Sequence, residues 1–278
     1  MDLEAKRAAA LKDNRCFSKT TLKVEYRMKP GANAQPVKFY KNGFGLSYGV
    51  YLISDCVPMR PLVKRSDKQK ENDKKLGEIA RKSSRRYQAL LMAHDLMMMD
   101  NVVVLDTETT GLESDDQIIE IGVTDIKGNV LLEQRVRPSV PVNPEASNVH
   151  AICDVELEHE PCFLEIEPQL KQLLTGKTVV IFNAEFDIRL LNQTANAFGC
   201  DNAWIAALET VCAMFLSADI LGPTNRYGTI SLVDSMYSLG VRFRHQAHSA
   251  VGDAIATAEV IHAFSALHCH EYKQSNTI

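Results

Sequence analysis

Two acidic residues with one residue between them follow an apolar stretch in the segment VVVLDTETTGL (Val102–Leu112). The apolar residues predict a buried strand, and Asp106 and Glu108 then lie where that strand reaches a polar region. Side chains at alternate positions of a strand point to the same face, so the two carboxylates converge. Such carboxylates repel each other at neutral pH unless a cation or a shared proton lies between them. An ordinary solvated strand end could also contain two such acids. The rest of the chain must therefore decide between a solvated strand end and a site that binds a cation or a proton.

Two later segments place acids at comparable positions. In VVIFNAEFDIRLL a second buried strand leads into a helix, and Asp187 lies in the first part of that helix. In HQAHSAVGDAIATAEV, His248 and Asp253 lie where the last predicted helix begins. Each segment is weak evidence alone, because acids are favoured near any helix N-terminus. Together the four carboxylates are ligands that Mg²⁺ or Mn²⁺ prefers, and they predict a two-ion site for phosphodiester hydrolysis with His248 as the general base.

The elements that would position these residues predict an α/β fold. VVVLDTE, QIIEIGVTDI and VLLEQRVRP read as three consecutive strands, and TVVIFN as a short buried one. The predicted helices are EIEPQLKQLLTG, AEFDIRLLNQTANAFG, SLVDSMYSLGV and HSAVGDAIATAEVIHAFSALH. Strands followed by alternating helix and strand predict a mixed sheet flanked by helices.

Three motifs in this order and spacing resemble those of the DEDDh 3′–5′ exonucleases, and most of all the proofreading epsilon subunits of bacterial DNA polymerase III. They are D-T-E-T-T-G-L at Asp106–Leu112, N-A-E-F-D at Asn183–Asp187 and H-S-A-V-G-D at His248–Asp253. The segment NPEASNVHAICD, with Val149 and His150, is similar to the substrate-side loop of that family. The resemblance covers about residues 100–267.

The resemblance implies a ribonuclease-H-like fold that binds two Mg²⁺ or Mn²⁺ ions. It implies metal ligation by Asp106, Glu108, Asp187 and Asp253, with His248 as the base. It also implies that Thr107–Leu112 hold the 3′-terminal nucleotide, with Thr110 near the 3′-hydroxyl and Leu112 against the base. Further pocket residues implied in the same way are His150, Asn183 and Phe186.

The charge of the chain is unevenly distributed. Residues 1–99 contain 21 Lys+Arg and 10 Asp+Glu, whereas residues 100–278 contain 10 and 25. We therefore expect a basic N-terminal extension or small domain with a linker helix (1–99), an exonuclease domain (100–267) and a C-terminal tail (268–278). In residues 1–99, KVEYRM, VKFY and YGVYLI read as short strands, with NGFG as a turn.

The basic, helix-compatible segment from Lys64 to about Met92 has two interpretations. It is either a solvated linker helix or a helix whose cations, up to Arg86, contact nucleic-acid phosphates. Residues 1–99 could also bind a protein partner. This extension is not expected of a replicative proofreading subunit, and the tail after Leu267 shows no obvious sliding-clamp peptide, so a stand-alone nuclease is favoured. The tail begins with the sequence HCHE at His268–Glu271. We interpret HCHE as part of a surface tail, although its residue types can bind metals.

Composition narrows the function classes. Hydrophobic content of 45% with 24% charged residues is ordinary for a globular protein, and no uninterrupted apolar run approaches the roughly 18 residues of a membrane span. Seven cysteines without a C-x-x-C pair fit free thiols in a reducing cytoplasm. We therefore expect a cytoplasmic protein. The family resemblance implies a 3′–5′ exonuclease that acts on a free 3′ end, with single-stranded DNA favoured. An exoribonuclease and a non-catalytic nucleic-acid-binding or polymerase-associated subunit are the alternatives.

Overall fold

The computed structural model describes residues 2–41, 47–60, 66–242 and 248–273. The chain divides into two compact units, Met1–Asp73 and Lys74–Ile278. The NGFG turn expected at 42–45 lies outside the described residues, as do Lys64 and Arg65 of the basic segment and positions 274–278 of the expected tail.

The first unit contains short strands and helices around a small core. Its elements are α1 (Leu3–Lys12), β1 (Cys16–Ser18), α2 (Lys19–Glu25), β2 (Met28–Pro30), β3 (Lys38–Lys41), β4 (Ser47–Leu52), a 3₁₀ turn (Ile53–Asp55) and β5 (Cys56–Pro58). Antiparallel strands form a three-stranded sheet in the order β1-β4-β3 and a separate β2-β5 pair. Leu22, Tyr26 and Ile53 are buried in the core between these elements.

Two of the three strands expected in this unit are confirmed, and the first was wrong except at its last residue, Met28. Lys23–Glu25 of KVEYRM belong to α2, and the chain becomes a strand only at β2. The helix begins after Ser18, whose hydroxyl accepts a hydrogen bond from the backbone N–H of Thr21 at 3.1 Å. This cap satisfies an N–H group that the first helical turn would otherwise leave unpaired, and alternation in the sequence does not reveal it.

The second unit begins within a long polar helix and contains the three motifs. Its helices are α3 (Asp67–Lys82, which includes the unit boundary), α4 (Arg85–Met98), α5 (Pro144–His150), α6 (Asp154–Leu157), α7 (Phe163–Leu174), α8 (Ala184–Ala197), α9 (Ala203–Ala206), α10 (Ala213–Leu221), α11 (Leu232–Leu239) and α12 (Ala250–His268), which continues as a π-helical turn (Cys269–Lys273). Its strands are β6 (Val102–Thr109), β7 (Ile118–Asp125), β8 (Val130–Arg135), β9 (Thr178–Ile181) and β10 (Glu209–Cys212).

These strands form one five-stranded mixed sheet in the order β10-β9-β6-β7-β8. β6, β7 and β8 are antiparallel neighbours, whereas β9 runs parallel to β6 and β10 parallel to β9. The sheet carries helices on both faces, as expected for a ribonuclease-H-like fold, and the α/β class is confirmed. The central strand β6 is buried on both faces, which explains its uninterrupted apolar sequence.

Alternate residues of β6 pack into different layers. Val103 and Leu105 face a core that includes side chains of α7 and α8, and Val102 and Val104 face one that includes α4 and α12. The strand therefore sends successive side chains toward two different sets of helices, and this alternation determines where the polar residues at its end project.

Two segments that the sequence assigned outside the exonuclease domain lie in the second unit. α4 buries Ala89, Leu90, Ala93 and Leu96 in the same core as α12, because its apolar residues recur at helical spacing. The expected tail continues α12 through the π-helical turn, and Glu271 accepts a hydrogen bond from Arg86 at 2.9 Å. Residues 268–273 are therefore a packed helix end, whereas the sequence predicted a surface tail.

α12 is the core helix of this unit. By length and composition alone, Ala250–Tyr272 could cross a membrane, although Asp253 and Glu259 interrupt its apolar sequence. Most of its apolar window is buried inside the protein, against β6, β7 and α4, and this burial is what a core helix requires.

Candidate active site

The end of β6 distributes its polar side chains by strand alternation. Asp106 and Glu108 follow Val102 and Val104 onto the α12 side of the sheet, whereas Thr107 follows Leu105 onto the α8 side. The two carboxylates therefore face the helix that carries Asp253.

Close packing between β7 and α12 brings Asp253 to these acids. Gly122 pairs with Asp106 across the sheet, and a Cβ atom at Gly122 would lie only 2.3 Å from the backbone of Ala250. Glycine therefore allows the first turn of α12 to lie directly on the sheet. Glu120, on the same face, accepts a hydrogen bond from the backbone N–H of Ala250 at 2.8 Å, so the start of α12 is held at a fixed place beside the strand end.

Three carboxylates form a group with the spacing of a metal site. One ligand atom each from Asp106, Glu108 and Asp253 lies within 4.8 Å of the other two. Asp253 Oδ1 is buried and makes no hydrogen bond within the described part of the chain. A buried carboxylate oxygen without a partner is costly, and a bound cation would satisfy it. This oxygen-only donor set fits Mg²⁺ or Mn²⁺.

The fourth acid reaches the site from the other side of the strand. Asp187 lies in the first turn of α8 and is buried, and its Oδ1 accepts a hydrogen bond from the Thr107 hydroxyl at 2.8 Å. Thr107, which the resemblance implied as a nucleotide contact, is therefore bonded to an acid of the site.

Burial and mutual repulsion make the site electrostatically unfavourable without a cation. Burial, followed by the charges of Asp187, Asp253 and Glu108, raises the pKa of Asp106 well above its ordinary value. Burial, followed by the charges of Asp253, Glu120 and Asp187, raises the pKa of Glu108 to about 8. Burial raises the pKa of Asp187 to about 7, and the Thr107 hydroxyl opposes that shift.

The pKa of the remaining acid is also raised. Burial is the main cause for Asp253, and His248 opposes it through its charge and a backbone hydrogen bond. The site as a whole therefore favours either bound protons or a bound cation.

His248 lies at the entrance to α12, one residue before the cap Ser249. It is exposed and has a positive φ of 60°, which points the chain sharply into the helix. Ser249 then accepts a hydrogen bond from the backbone N–H of Gly252. His248, His150 and Glu120 line one pocket of about 410 Å³. The histidine that the third motif predicted is thus accessible and next to the acids.

A second pocket, of about 390 Å³, opens directly beside the strand end. Exposed or half-buried apolar side chains of Leu112, Val149 and Phe186 form part of its wall. The other lining residues are Thr107, Glu108, Thr109, Gly111, Glu113, Asn143, Glu145, Ala146 and His150. Its apolar wall next to carboxylates suits a flat ring whose attached phosphate reaches the acids.

Two residues implied as pocket contacts do not line it. Thr110 is fully buried, and its hydroxyl donates to Asp116 at 2.6 Å and accepts from the backbone N–H of Gln117. Thr109, one position earlier, lines the pocket instead. Asn183 is the N-cap of α8 and is exposed, but it is not among the residues that line this pocket.

His150 forms a fixed wall of the pocket. Its Nδ1 accepts a hydrogen bond from the backbone N–H of Ile152 at 3.1 Å, so the ring proton lies on Nε2, which donates to the carbonyl of Thr109 at 3.2 Å. Burial is the main cause that lowers the pKa of His150, which favours the neutral form of the ring. The segment NPEASNVHAICD, expected to be a loop, contains the helix α5, with Asn143 as its cap.

Sequence reasoning missed Glu120 and Gly122. Both lie in QIIEIGV, where an acid and a glycine interrupt a strand that is otherwise buried throughout. A buried acid in an apolar strand was a usable signal, because such a group needs a partner. That its partner is the first N–H of α12 depends on packing between distant segments.

Comparison with known proteins agrees with this arrangement. The family model of the RNase_T exonucleases matches residues 103–261, more than half of the chain. The chain therefore belongs to this exonuclease family. It is an enzyme of the DEDDh 3′–5′ exonuclease type, as the motifs predicted.

Relatives extend the comparison beyond the family model. The uncharacterised exonuclease CP81 of Escherichia phage 186 is 34% identical over 60% of this chain and 89% of its own length. The DNA polymerase III subunit epsilon of Rickettsia typhi is 30% identical over 57% of this chain and 71% of its own. Among solved structures, exonuclease X in complex with 5′-overhanging duplex DNA is 23% identical with a TM-score of 0.45, over 59% of this chain and 92% of that one.

Proposed function

We propose that this exonuclease removes nucleotides from the 3′ end of DNA, preferably single-stranded, and releases 5′-mononucleotides by a two-metal mechanism. The observation that carries the proposal is the convergence of Asp106, Glu108 and Asp253, with Asp187 beside them, next to an apolar pocket. DNA is favoured over RNA because two kinds of relative are named as parts of DNA polymerase III.

The four acids would hold two Mg²⁺ or Mn²⁺ ions, with Asp106 at the centre of the group. When bound, such ions supply a nucleophilic water and offset the charge that develops on the phosphate oxygens. The chain contributes the preorganisation: Thr107 fixes the Asp187 carboxylate, and the Gly122 contact with α12 fixes Asp253.

His248 would take the proton from the attacking water. Its exposure leaves the ring accessible to substrate and solvent, and its place at the mouth of α12 keeps it next to Asp253. An imidazole has an ordinary pKa close to neutral pH, which suits a general base.

The apolar pocket would hold the base of the terminal nucleotide. One side of the Phe186 ring carries the Arg189 guanidinium at 5.3 Å, and Arg189 also donates to the carbonyl of Leu112 at 3.4 Å. Arg189 thus joins the two apolar walls and holds them at a fixed separation. A base between such walls gains stacking energy without sequence preference.

A matrix of 5′-labelled substrates tests the proposal. Single-stranded DNA, duplex DNA and RNA of one sequence are incubated with Mg²⁺ or Mn²⁺, and products are resolved by length and by chromatography of the released nucleotides. We expect a ladder that shortens from the 3′ end, fastest on single-stranded DNA, with 5′-monophosphates released. The Asp187→Asn variant is the control for contaminating nucleases. Faster cleavage of RNA would make the protein an exoribonuclease, and binding without cleavage by any metal would leave it a silent subunit.

A further inference from the structure

A second group of metal-binding side chains lies outside the active site, where α12 ends. His94 is on α4, His268 is the last residue of α12, and Cys269 begins the π-helical turn. One ligand atom from each lies within 4.8 Å of the other two. His268 and Cys269 belong to the HCHE sequence that was predicted to be a surface tail. His94 comes from a helix that is distant in the sequence.

The separations within this group fit a tetrahedral ion. His94 Nδ1 lies 3.8 Å from Cys269 Sγ. Zinc bonds of about 2.0–2.1 Å to nitrogen and about 2.3 Å to sulfur, at a tetrahedral angle, require the two ligand atoms to be about 3.6 Å apart. The His94 and His268 rings are stacked with centroids 4.9 Å apart, so the two imidazoles are direct neighbours.

The backbone has the geometry that such a group requires. Adjacent residues of a regular α-helix point in different directions, so His268 and Cys269 would not normally serve one ion. The change to a π-helical turn at Cys269 widens the helix there, and turns of this kind are frequent at functional sites.

The surroundings hold these donors in place and partly away from solvent. His268 is buried, and His94 and Cys269 are half-buried. The ring of Tyr87 lies 5.9 Å from that of His268, and the Tyr272 ring lies 5.5 Å from it. The Ser265 hydroxyl lies 3.1 Å from His94 Nδ1, and an ion bound to this nitrogen would replace that contact.

We propose that His94, His268 and Cys269 bind one Zn²⁺ ion, with water in the fourth position. Two imidazoles and a thiolate select zinc, whereas the carboxylates of the active site select Mg²⁺ or Mn²⁺, so the two sites differ in metal. The ion joins α4 to the end of α12, the two helices that cover one face of the sheet. Its role is to hold this helix pair together, and it takes no part in phosphodiester cleavage.

Cobalt spectroscopy on the full-length chain tests the proposal. The protein is stripped with a chelator under reducing conditions and titrated with Co²⁺, which replaces zinc and reports its ligands. We expect a thiolate-to-cobalt charge-transfer band and the strong visible bands of a tetrahedral ion, both removed by one equivalent of Zn²⁺. The Asp106→Ala variant keeps these bands, because the active site has no thiolate.

Matched cysteine variants locate the ion. Cys269→Ser should lose the charge-transfer band and bind Zn²⁺ at least about 100-fold more weakly, since loss of even an outer-shell partner costs about 10–100-fold. Cys200→Ser, a partly buried cysteine on the other face of the sheet, should keep both. His94→Gln provides a second test if Cys269→Ser does not fold. A wild type without the band at saturating Co²⁺, or a band that persists in Cys269→Ser, overturns the proposal.

Discussion

Asp106 and Thr107 are neighbours on one strand, yet they serve opposite faces of the sheet. Asp106 faces α12 and shares a ligand group with Asp253, while Thr107 faces α8 and donates to Asp187. One strand end thus connects two helices that are far apart in sequence. The result is four acids near one point, with their charges held apart from solvent, and this is the physical basis of the proposed metal site.

We expect His248 to act in the cleavage step and His150 to act in substrate binding. His248→Ala should lower the maximal cleavage rate by about 10²–10⁴, because a positioned base is lost, while Mn²⁺ and DNA affinity stay close to wild type. His150→Ala should mainly weaken substrate binding, because that ring holds the carbonyl of Thr109 in the pocket wall. Single-turnover rates and calorimetric Mn²⁺ binding distinguish the two. Loss of Mn²⁺ binding in His248→Ala would make this residue a ligand and exclude it as the base.

The raised pKa values of the acids predict how metal binding depends on pH. Glu108 and Asp187 have ordinary pKa values of 4.5 and 3.8, and these are raised to about 8 and about 7 in the folded protein. At pH values between the ordinary and the raised pKa of each group, the folded state binds more protons than the unfolded chain. The free energy of unfolding of the metal-free protein therefore falls as pH rises through this range. A cation must displace these protons, so its stabilising effect increases over the same range.

Thermal unfolding with and without Mn²⁺ measures this effect. The rise in Tm on adding Mn²⁺ should be larger at about pH 8 than at about pH 6, and Asp106→Ala should remove most of the difference. Ca²⁺ in place of Mn²⁺ is a control that does not support cleavage. An equal Tm rise at both pH values would mean that the acids are already ionised without metal.

At the level of elements, the start of α12 depends on a close approach that only glycine permits. Gly122 lies against the backbone of Ala250, and Glu120 binds the N–H of the same residue. Because Asp253 projects from the first turn of this helix, any displacement of α12 also moves a proposed metal ligand. Stability and activity are therefore coupled at this contact.

Gly122→Ala should impair both properties. An added Cβ would lie 2.3 Å from the Ala250 backbone, so the helix must shift, at a cost of about 1–3 kcal/mol in the free energy of unfolding and with weaker Mn²⁺ binding. Gly77→Ala is the matched control: it lies on α3 with no neighbouring atoms within 4 Å, and it should stabilise the protein by about 0.5–1 kcal/mol. Urea unfolding and Mn²⁺ titration check both variants. Unchanged Mn²⁺ affinity in Gly122→Ala would contradict the prediction that the position of α12 determines metal binding.

The sequence predicted the central elements well because each carries a local signal. β6 is apolar on both faces, and the motif acids Asp187 and Asp253 lie in the first turns of α8 and α12. The strand β10 and the helix α10 were not predicted, because Glu209–Cys212 is short and lacks clear alternation. Pairing with β9 makes that segment a strand, and this pairing is not visible in the local sequence.

The four acids converge as predicted, whereas Thr110 and Asn183, implied as nucleotide contacts, do not line the pocket beside them. Carboxylates at element ends can be placed from strand alternation and helix starts. The side chain of Thr110 could not, because a bulge between Glu108 and Thr109 changes the register just before it. The proximity of His94 and Cys269 could not be predicted from the sequence, because it depends on how α4 packs on α12.

Considered as a whole, the chain combines an acidic catalytic unit with a basic segment. α3 has no buried residue, although its Arg81 guanidinium lies over the Tyr272 ring at 5.0 Å. Arg86 is paired with Glu271. The cations that stay candidates for phosphate binding include Lys74 and Lys82 of α3 and Arg85, the first residue of α4. We propose that they bind nucleic acid outside the active site.

Salt dependence tests this proposal in the full-length protein. Replacing Lys74, Lys82 and Arg85 with glutamine should weaken binding of a long single strand and flatten its salt dependence, by about 0.7 in the slope of log affinity against log salt for each phosphate that is no longer neutralised. The control replaces Lys127, Lys171 and Arg226 with glutamine, which changes the net charge equally. Binding is measured in Ca²⁺ to prevent cleavage. Equal slopes in both variants would leave α3 as a linker or as the site of a protein partner.

The single-turnover cleavage rate of Asp106→Ala tests the central claim most directly. This acid belongs to the carboxylate group and is repelled by all three others, so its loss should remove the ions from their positions. We predict a rate at least about 10²–10³ lower than wild type on single-stranded DNA, with unchanged circular dichroism and with a metal-free Tm no lower than wild type at about pH 8, because a buried like charge has been removed. A purified, metal-stripped variant that regains a near-normal rate when Mn²⁺ is added would contradict the assignment of this site.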